Sequence, residues 1–148
     1  MGLASRWWSA VLVPAVTHGI APEASSLMAR HVDGALELGV RSLTPMRADP
    51  ARVRDSTMQV LAPVIEHLRA SSRMLWANVA ASLHAVPRVH ALPPATAWCA
   101  HLLAEDPLAG HLEFRGGQAR RQATCCLFYR VPGAGVCGDC LFEVAPGM

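Results

Sequence analysis

Four of the five cysteines in this chain stand within sixteen residues of one another, at 125, 126, 137 and 140. The stretch reads CCLFYRVPGAGVCGDC, a vicinal pair, ten intervening residues and a CxxC pair close to the C-terminus. A segment that must gather these sulfurs cannot be a long helix or strand, and Pro132, Gly133 and Gly135 supply turns between the pairs. Three chemistries compete for the thiols. Disulfides are one, but a bridge between Cys125 and Cys126 would close a strained ring far from ordinary disulfide geometry. In a reducing compartment the cross-pairings would also stay open. Structural zinc is the second, with four thiolates around one ion. Zinc prefers two CxxC-like knuckles, and adjacent cysteines make a poor knuckle because neighbouring side chains diverge. A [2Fe-2S] cluster is the third, and it suits the pattern best. Two irons present two separate ligand pairs, which tolerates one vicinal pair and one CxxC pair. Gly133, Gly135 and Gly138 let the backbone come near the sulfurs and donate N–H groups to them.

The rest of the chain bounds the problem. Its 148 residues suit one domain with its own core. Hydrophobic residues make up 52% and charged ones 16%, which argues against disorder. A net charge of +2 gives no case for nucleic acid or for steering to a membrane. Every one of the thirteen basic residues is Arg, which with the abundance of Ala reads as coding bias. No segment reaches the roughly 18 apolar residues of a transmembrane span. Residues 7–16 are apolar and imitate the core of a signal peptide, but Pro14 interrupts them and no A-x-A site follows. The expectation is therefore a cytoplasmic, reducing setting.

Local signals place several elements. Asp33-Gly34 lies between two short runs in residues 27–40 and marks a hairpin, with alternation clearest at Leu36, Leu38 and Val40. Asp49-Pro50 opens a helix in which Val60, Leu61, Val64, Ile65 and Leu68 recur at helical spacing, with Pro63 as a kink or restart. Ser71 or Ser72 caps the next helix, which presents Leu75, Val79 and Leu83, runs to about His84 and is ended by Pro87. A third begins at Pro93-Pro94, carries Trp98 and Leu102-Leu103, and stops before Asp106-Pro107. Gly110, Gly116 and Gly117 then predict a loop. The expected fold class is mainly α: a small helical domain with a minor β-hairpin and an irregular cysteine-rich C-terminal segment that binds the cluster. The expected division is an N-terminal segment with the hairpin (1–48), a helical part (49–106) and the cluster-binding segment (107–148), all within a single domain.

RRQATCCLFYRVPGAGVCGDC, residues 120–140, resembles the C-terminal signature of the FhuF-like ferric siderophore reductases. SRMLWANVAASL, residues 72–83, is similar to that family's Leu-Trp-Gly-Asn segment, with Ala77 where the family often has Gly. WWSAVLVPA near the N-terminus has a weaker likeness. The chain is shorter than typical members, which carry more protein before the matched region. The resemblance implies a [2Fe-2S] cluster on Cys125, Cys126, Cys137 and Cys140, and reduction of iron(III) held by a hydroxamate siderophore in the cytoplasm. With no GxGxxG or P-loop in the sequence, the expected electron source is a donor protein or a reduced flavin. The alternatives are a zinc-stapled binding module without redox activity, and a [2Fe-2S] electron carrier that does not act on siderophores.

Other residues fall in place around that reading. Arg120, Arg121 and Arg130 flank the motif, where guanidinium charge would offset an anionic all-thiolate site or meet an acidic donor; a solvated loop surface is the plainer alternative. Phe128 and Tyr129 are expected to shield the site from water, and Gly138 to let the backbone close in. Asp139 is expected to hold the CxxC turn through local backbone bonds. Trp76 and Asn78 are expected either in the core or as cleft and loop support. Cys99 reads as a buried structural thiol. His18, His31, His67, His84, His90, His101 and His111 show no tight metal spacing, although His84, His90 and His101 could fall near one another.

Overall fold

Trp7, Trp8, Val11, Leu12 and Ala15 repeat at helical spacing, and they become the buried face of α1 (Leu3–His18). The computed structural model describes residues 2–42, 44–115 and 118–146. The Trp8 indole is fully buried and its Nε1–H donates to the Val79 carbonyl at 3.1 Å, so the largest core side chain keeps its one polar group satisfied. Gly19, at φ 70°, ends the helix in the left-handed conformation and returns its N–H to the Ala15 carbonyl at 3.1 Å. The apolar stretch that imitated a signal core is thus the inner face of a packed helix. Among the described residues no helix is long and apolar enough to cross a membrane.

Three further α-helices lie among the described residues. The Asp49 carboxylate caps α2 (Pro50–His67) by accepting the Arg52 N–H at 3.0 Å, with Pro50 in the first turn where its missing N–H costs nothing. Val53, Thr57, Leu61 and Ile65 form its buried face, and the helix runs on through Pro63. Ser71 caps α3 (Ser72–Val89) through the Met74 N–H, and Ala77, Val79, Ala80, Leu83 and Val86 are buried. α4 (Ala95–Leu103) buries Ala95, Cys99 and Leu102. α3 lies at the centre, touching α1, α2 and α4. Each fully buried Leu or Val in this cluster contributes about 1.5–3 kcal/mol of burial.

α3 does not end at Pro87, as the sequence predicts; it continues to Val89. In a regular helix the residue-87 N–H would bond to the Leu83 carbonyl, and proline has none. The Cys99 thiol on α4 donates to that carbonyl instead, at 3.3 Å. A neighbouring helix thereby supplies the donor that the proline removed.

The strands form three two-stranded antiparallel sheets among the described residues. β1 (Ile20–Pro22) pairs with β4 (Pro45–Arg47), Ala21 opposite Met46. β2 (Leu27–Val32) and β3 (Ala35–Val40) form the expected hairpin, and its turn residues Asp33 and Gly34 have φ 47° and 79°, as a type I′ turn requires. β5 (Leu112–Arg115) and β6 (Gln118–Arg121) pair Glu113 with Arg120 and Leu112 with Arg121, where the sequence reading expects a loop. Gly116 and Gly117 of that loop lie outside the described residues. Both strands of this third sheet contact α3, and β6 leads straight into the cysteine segment. The fold is mainly α, with these minor hairpins and the cysteines gathered near the C-terminus.

Candidate metal centre

After β6 the chain turns repeatedly instead of forming a long element. Ala123 and Leu127 adopt φ 55° and 59°, and Gly133 and Gly135 adopt 77° and 66°. Between them lie a short 3₁₀ turn (Phe128–Arg130) and a turn closed by the Ala134 N–H on the Val131 carbonyl at 3.0 Å. These reversals fold the ten-residue spacer back on itself. The sulfurs of Cys126 and Cys137, eleven positions apart, come to 3.4 Å. Within CxxC, the Cys140 N–H bonds to the Cys137 carbonyl at 3.0 Å and closes the turn between the two cysteines. No disulfide joins any of the five cysteines.

The surroundings suit a thiolate-bound group. Sγ of Cys125 accepts the Leu127 N–H at 3.3 Å, and Sγ of Cys140 accepts the Phe142 N–H at 3.5 Å. Such N–H donors stabilise negative sulfur. Cys140 is buried, while Cys125, Cys126 and Cys137 are half-buried. The Cys137 thiol is pushed well above the ordinary range, first by burial, then by its hydrogen bond with Cys126 and by the negative charges of Asp139, Cys126 and Cys140. A thiol whose ionisation is hindered in this way is one that a bound cation relieves, because metal coordination deprotonates thiols outright. The soft donor set and the aimed N–H groups therefore fit an iron–sulfur group. Among the described residues no three His, Cys, Asp or Glu side chains gather closely enough to hold a metal ion.

The arginines before the motif are bound into it. The Arg121 guanidinium is buried, and its Nε donates to Asp139 Oδ2 at 2.6 Å while Nη1 donates to Asn78 Oδ1 at 2.5 Å. Its backbone N–H also bonds to the Asp139 carbonyl at 2.9 Å. Arg120 Nη1 donates to the Cys140 carbonyl at 3.2 Å. The recorded partner of the Asp139 carboxylate is Arg121 rather than the backbone of its own turn: it anchors the CxxC turn to β6 and, through Arg121, to α3. Asn78 supports the loop, and Trp76 packs against the core. Arg130 lies over the Tyr129 ring, 5.9 Å from its centroid, rather than against a sulfur. Tyr129 is half-buried and meets Phe142 edge-on at 5.9 Å, whereas Phe128, expected to shield the site, is exposed.

The histidines separate. His90 Nε2 pairs with Ser9 Oγ at 2.7 Å, and His84 stacks edge-on against Phe114 at 5.3 Å. His84 does lie near the motif, in a cleft of about 320 Å³ between α3 and the CxxC turn that also meets Arg88, Gln118, Gly138 and Asp139. Arg88 and Gln118 escape a reading of the sequence because nothing in their own neighbourhoods points to a site. The available signal is helical spacing: residues 81, 84, 85 and 88 share one face of α3.

No curated protein and no solved structure matches the chain. Residues 123–140 match the family described as FhuF 2Fe-2S C-terminal domain. That span includes both cysteine pairs and the folded spacer that joins them, so the cysteine segment of this chain is similar to the FhuF 2Fe-2S C-terminal domain.

Proposed function

We propose that the protein is a ferric siderophore reductase, with Cys125, Cys126, Cys137 and Cys140 holding the cluster. The observation that carries the proposal is the coincidence of the family match at residues 123–140 with the closure of Cys126 on Cys137 at 3.4 Å. When bound, the cluster supplies a single electron at low potential. The substrate is iron(III) in a hydroxamate siderophore. Hydroxamate oxygens are hard ligands that suit iron(III) far better than iron(II), so one electron is enough to loosen the complex and release the metal.

The chain's own groups set the conditions. Backbone N–H groups of Leu127 and Phe142 spread the negative charge on Cys125 and Cys140. Arg120 places a cation beside the motif, which offsets its anionic charge and favours the reduced form, while the charge of Arg121 is met by Asp139. Tyr129 and Phe142 limit water on one side. The helical part, residues 49–106, serves as the rigid body against which segment 107–148 holds the cluster. Electrons come from a donor protein or a reduced flavin, and the setting is the cytoplasm.

The test uses anaerobically purified protein reduced with dithionite and freed of excess reductant. Mixed with a ferric hydroxamate and a ferrous chelator, it is expected to yield one trapped iron(II) for each cluster oxidised. Oxidation of the cluster without trapped iron(II) would leave only an electron carrier. Colourless, zinc-loaded protein would reject the redox reading altogether.

A further inference from the structure

The cleft beside the CxxC turn has chemistry of its own. One wall is the face of α3 that carries His84, Ala85 and Arg88, and the other is Gln118 of β6 with Gly138 and Asp139 of the turn. Gly138 does not adopt the left-handed conformation that would demand glycine, and a Cβ built there meets nothing within 4 Å. Its missing side chain instead leaves the wall open, so that a molecule in the cleft reaches the peptide units between Cys137 and Cys140. Asp139 is already paired with Arg121. Arg88 is exposed on the last turn of α3, and no ion pair engages it among the described residues. Across the His84–Arg88 ridge a second groove of about 220 Å³ is lined by Pro87, Leu103 and Phe114, the last of them 56% exposed.

The geometry points to this cleft as the docking site of the ferric hydroxamate, with the Arg88 guanidinium against the chelate oxygens and the methylene spacers of the ligand along the Phe114 groove. This deepens the reductase reading and rests on it. Three singly charged hydroxamates neutralise iron(III), so the chelate arrives without net charge. One electron enters it from the reduced cluster, which is oxidised by that electron, and iron(III) becomes iron(II). The chelate then carries one net negative charge, and its oxygens take protons from water as the iron leaves. A guanidinium beside the chelate stabilises the charge that appears on electron arrival more than the neutral complex that docks. Arg88 would therefore act on the rate of reduction, and Gly138 on access.

The gallium(III) complex of a linear trihydroxamate separates the two, because it has the charge of the iron(III) complex and cannot be reduced under these conditions. Calorimetry with the oxidised holoprotein measures its binding. Gly138→Leu fills the cleft from the turn, and Ala85→Phe fills it from α3 without touching the motif. Both are expected to weaken gallium binding about tenfold or more, roughly 1.4 kcal/mol, while the visible spectrum of Ala85→Phe stays that of the parent. Arg88→Gln is expected to change gallium affinity little but to slow single-turnover reduction of the iron(III) complex about tenfold, and Arg88→Lys to restore most of the rate. Gallium binding that is absent in the parent, or unchanged in Ala85→Phe, overturns the docking site while leaving iron release by the parent protein to support the reductase reading. Gallium binding without any iron(II) released by the parent overturns the reductase reading instead.

Discussion

Arg121 and Asp139 form an ion pair of 2.6 Å that joins the end of a β-hairpin to the middle of the CxxC turn. The arginine side chain is 7% exposed and the aspartate 25%, so water screens the contact only from one side. The second branch of the guanidinium reaches Asn78 on α3, forty-three residues earlier in the chain. One side chain thus locates the cluster segment on the helical body.

Arg121→Gln leaves Asp139 without its cation and Asn78 without its donor. The expected loss is about 3 kcal/mol, the lower end for breaking a buried pair. For a chain of this size that corresponds to a fall of about 6–12 °C in the unfolding midpoint. A double-mutant cycle with Asp139→Asn should give a coupling of about 1–3 kcal/mol. A cycle that closes to zero means that the two residues do not act together.

Arg120 meets the Cys140 carbonyl at 3.2 Å, which holds its charge next to the last cysteine of the motif. Arg120→Ala should shift the midpoint potential of the cluster to a more negative value, and Arg120→Lys should recover part of the shift. Redox titration followed by visible absorbance checks both; identical potentials in all three proteins would return Arg120 to the solvated surface.

Cys126→Ser and Cys137→Ser remove the two sulfurs in closest recorded approach. Each variant, purified anaerobically, should lack the normal complement of iron and acid-labile sulfide. Full iron and sulfide content in either one contradicts the proposed ligand set.

Cys99 has a different task, and Cys99→Ala should keep the cluster spectrum while losing stability. Its thiol is the donor to the Leu83 carbonyl that Pro87 leaves open, and removing it strands a buried acceptor at a cost of about 1–3 kcal/mol. Burial pushes the thiol up to about 12 from the ordinary 9.0. A raised value means that the folded state holds this proton more tightly than the unfolded chain. The contribution is therefore complete below pH 9.0 and is lost as pH climbs toward about 12. In the parent protein at pH 8, iodoacetamide should spare Cys99 until the fold is opened with urea; rapid alkylation in the native state would falsify its burial.

Trp8→Ala should cost about 3–5 kcal/mol, the range for emptying a large core site. Trp8→Phe keeps most of the apolar volume but drops the bond to the Val79 carbonyl, and it should cost less. Urea denaturation distinguishes these cases, and a loss near zero for Trp8→Ala would mean that α1 is not part of the core.

Where the information was local, the sequence was enough. The Asp33-Gly34 turn and the caps at Asp49 and Ser71 depend on residues near one another along the chain, and the structure contains each of them, while of the four motif sulfurs it brings Cys126 against Cys137. The β5–β6 hairpin was missed because its strands have four residues each, too few for a clear alternation, though Gly116-Gly117 was a usable turn signal. What tertiary structure decided came from partners distant in sequence. Pro87 stops a helix unless another element supplies the lost donor, and Cys99 on α4 does so. Arg121 reads as a loop cation until Asn78 and Asp139 are brought to its two ends. The cleft at Gly138 exists only because one face of α3 comes to lie opposite the CxxC turn. Short-range dihedral and capping preferences are written residue by residue, whereas the partners of a buried polar group are set by packing, which no window of the sequence contains.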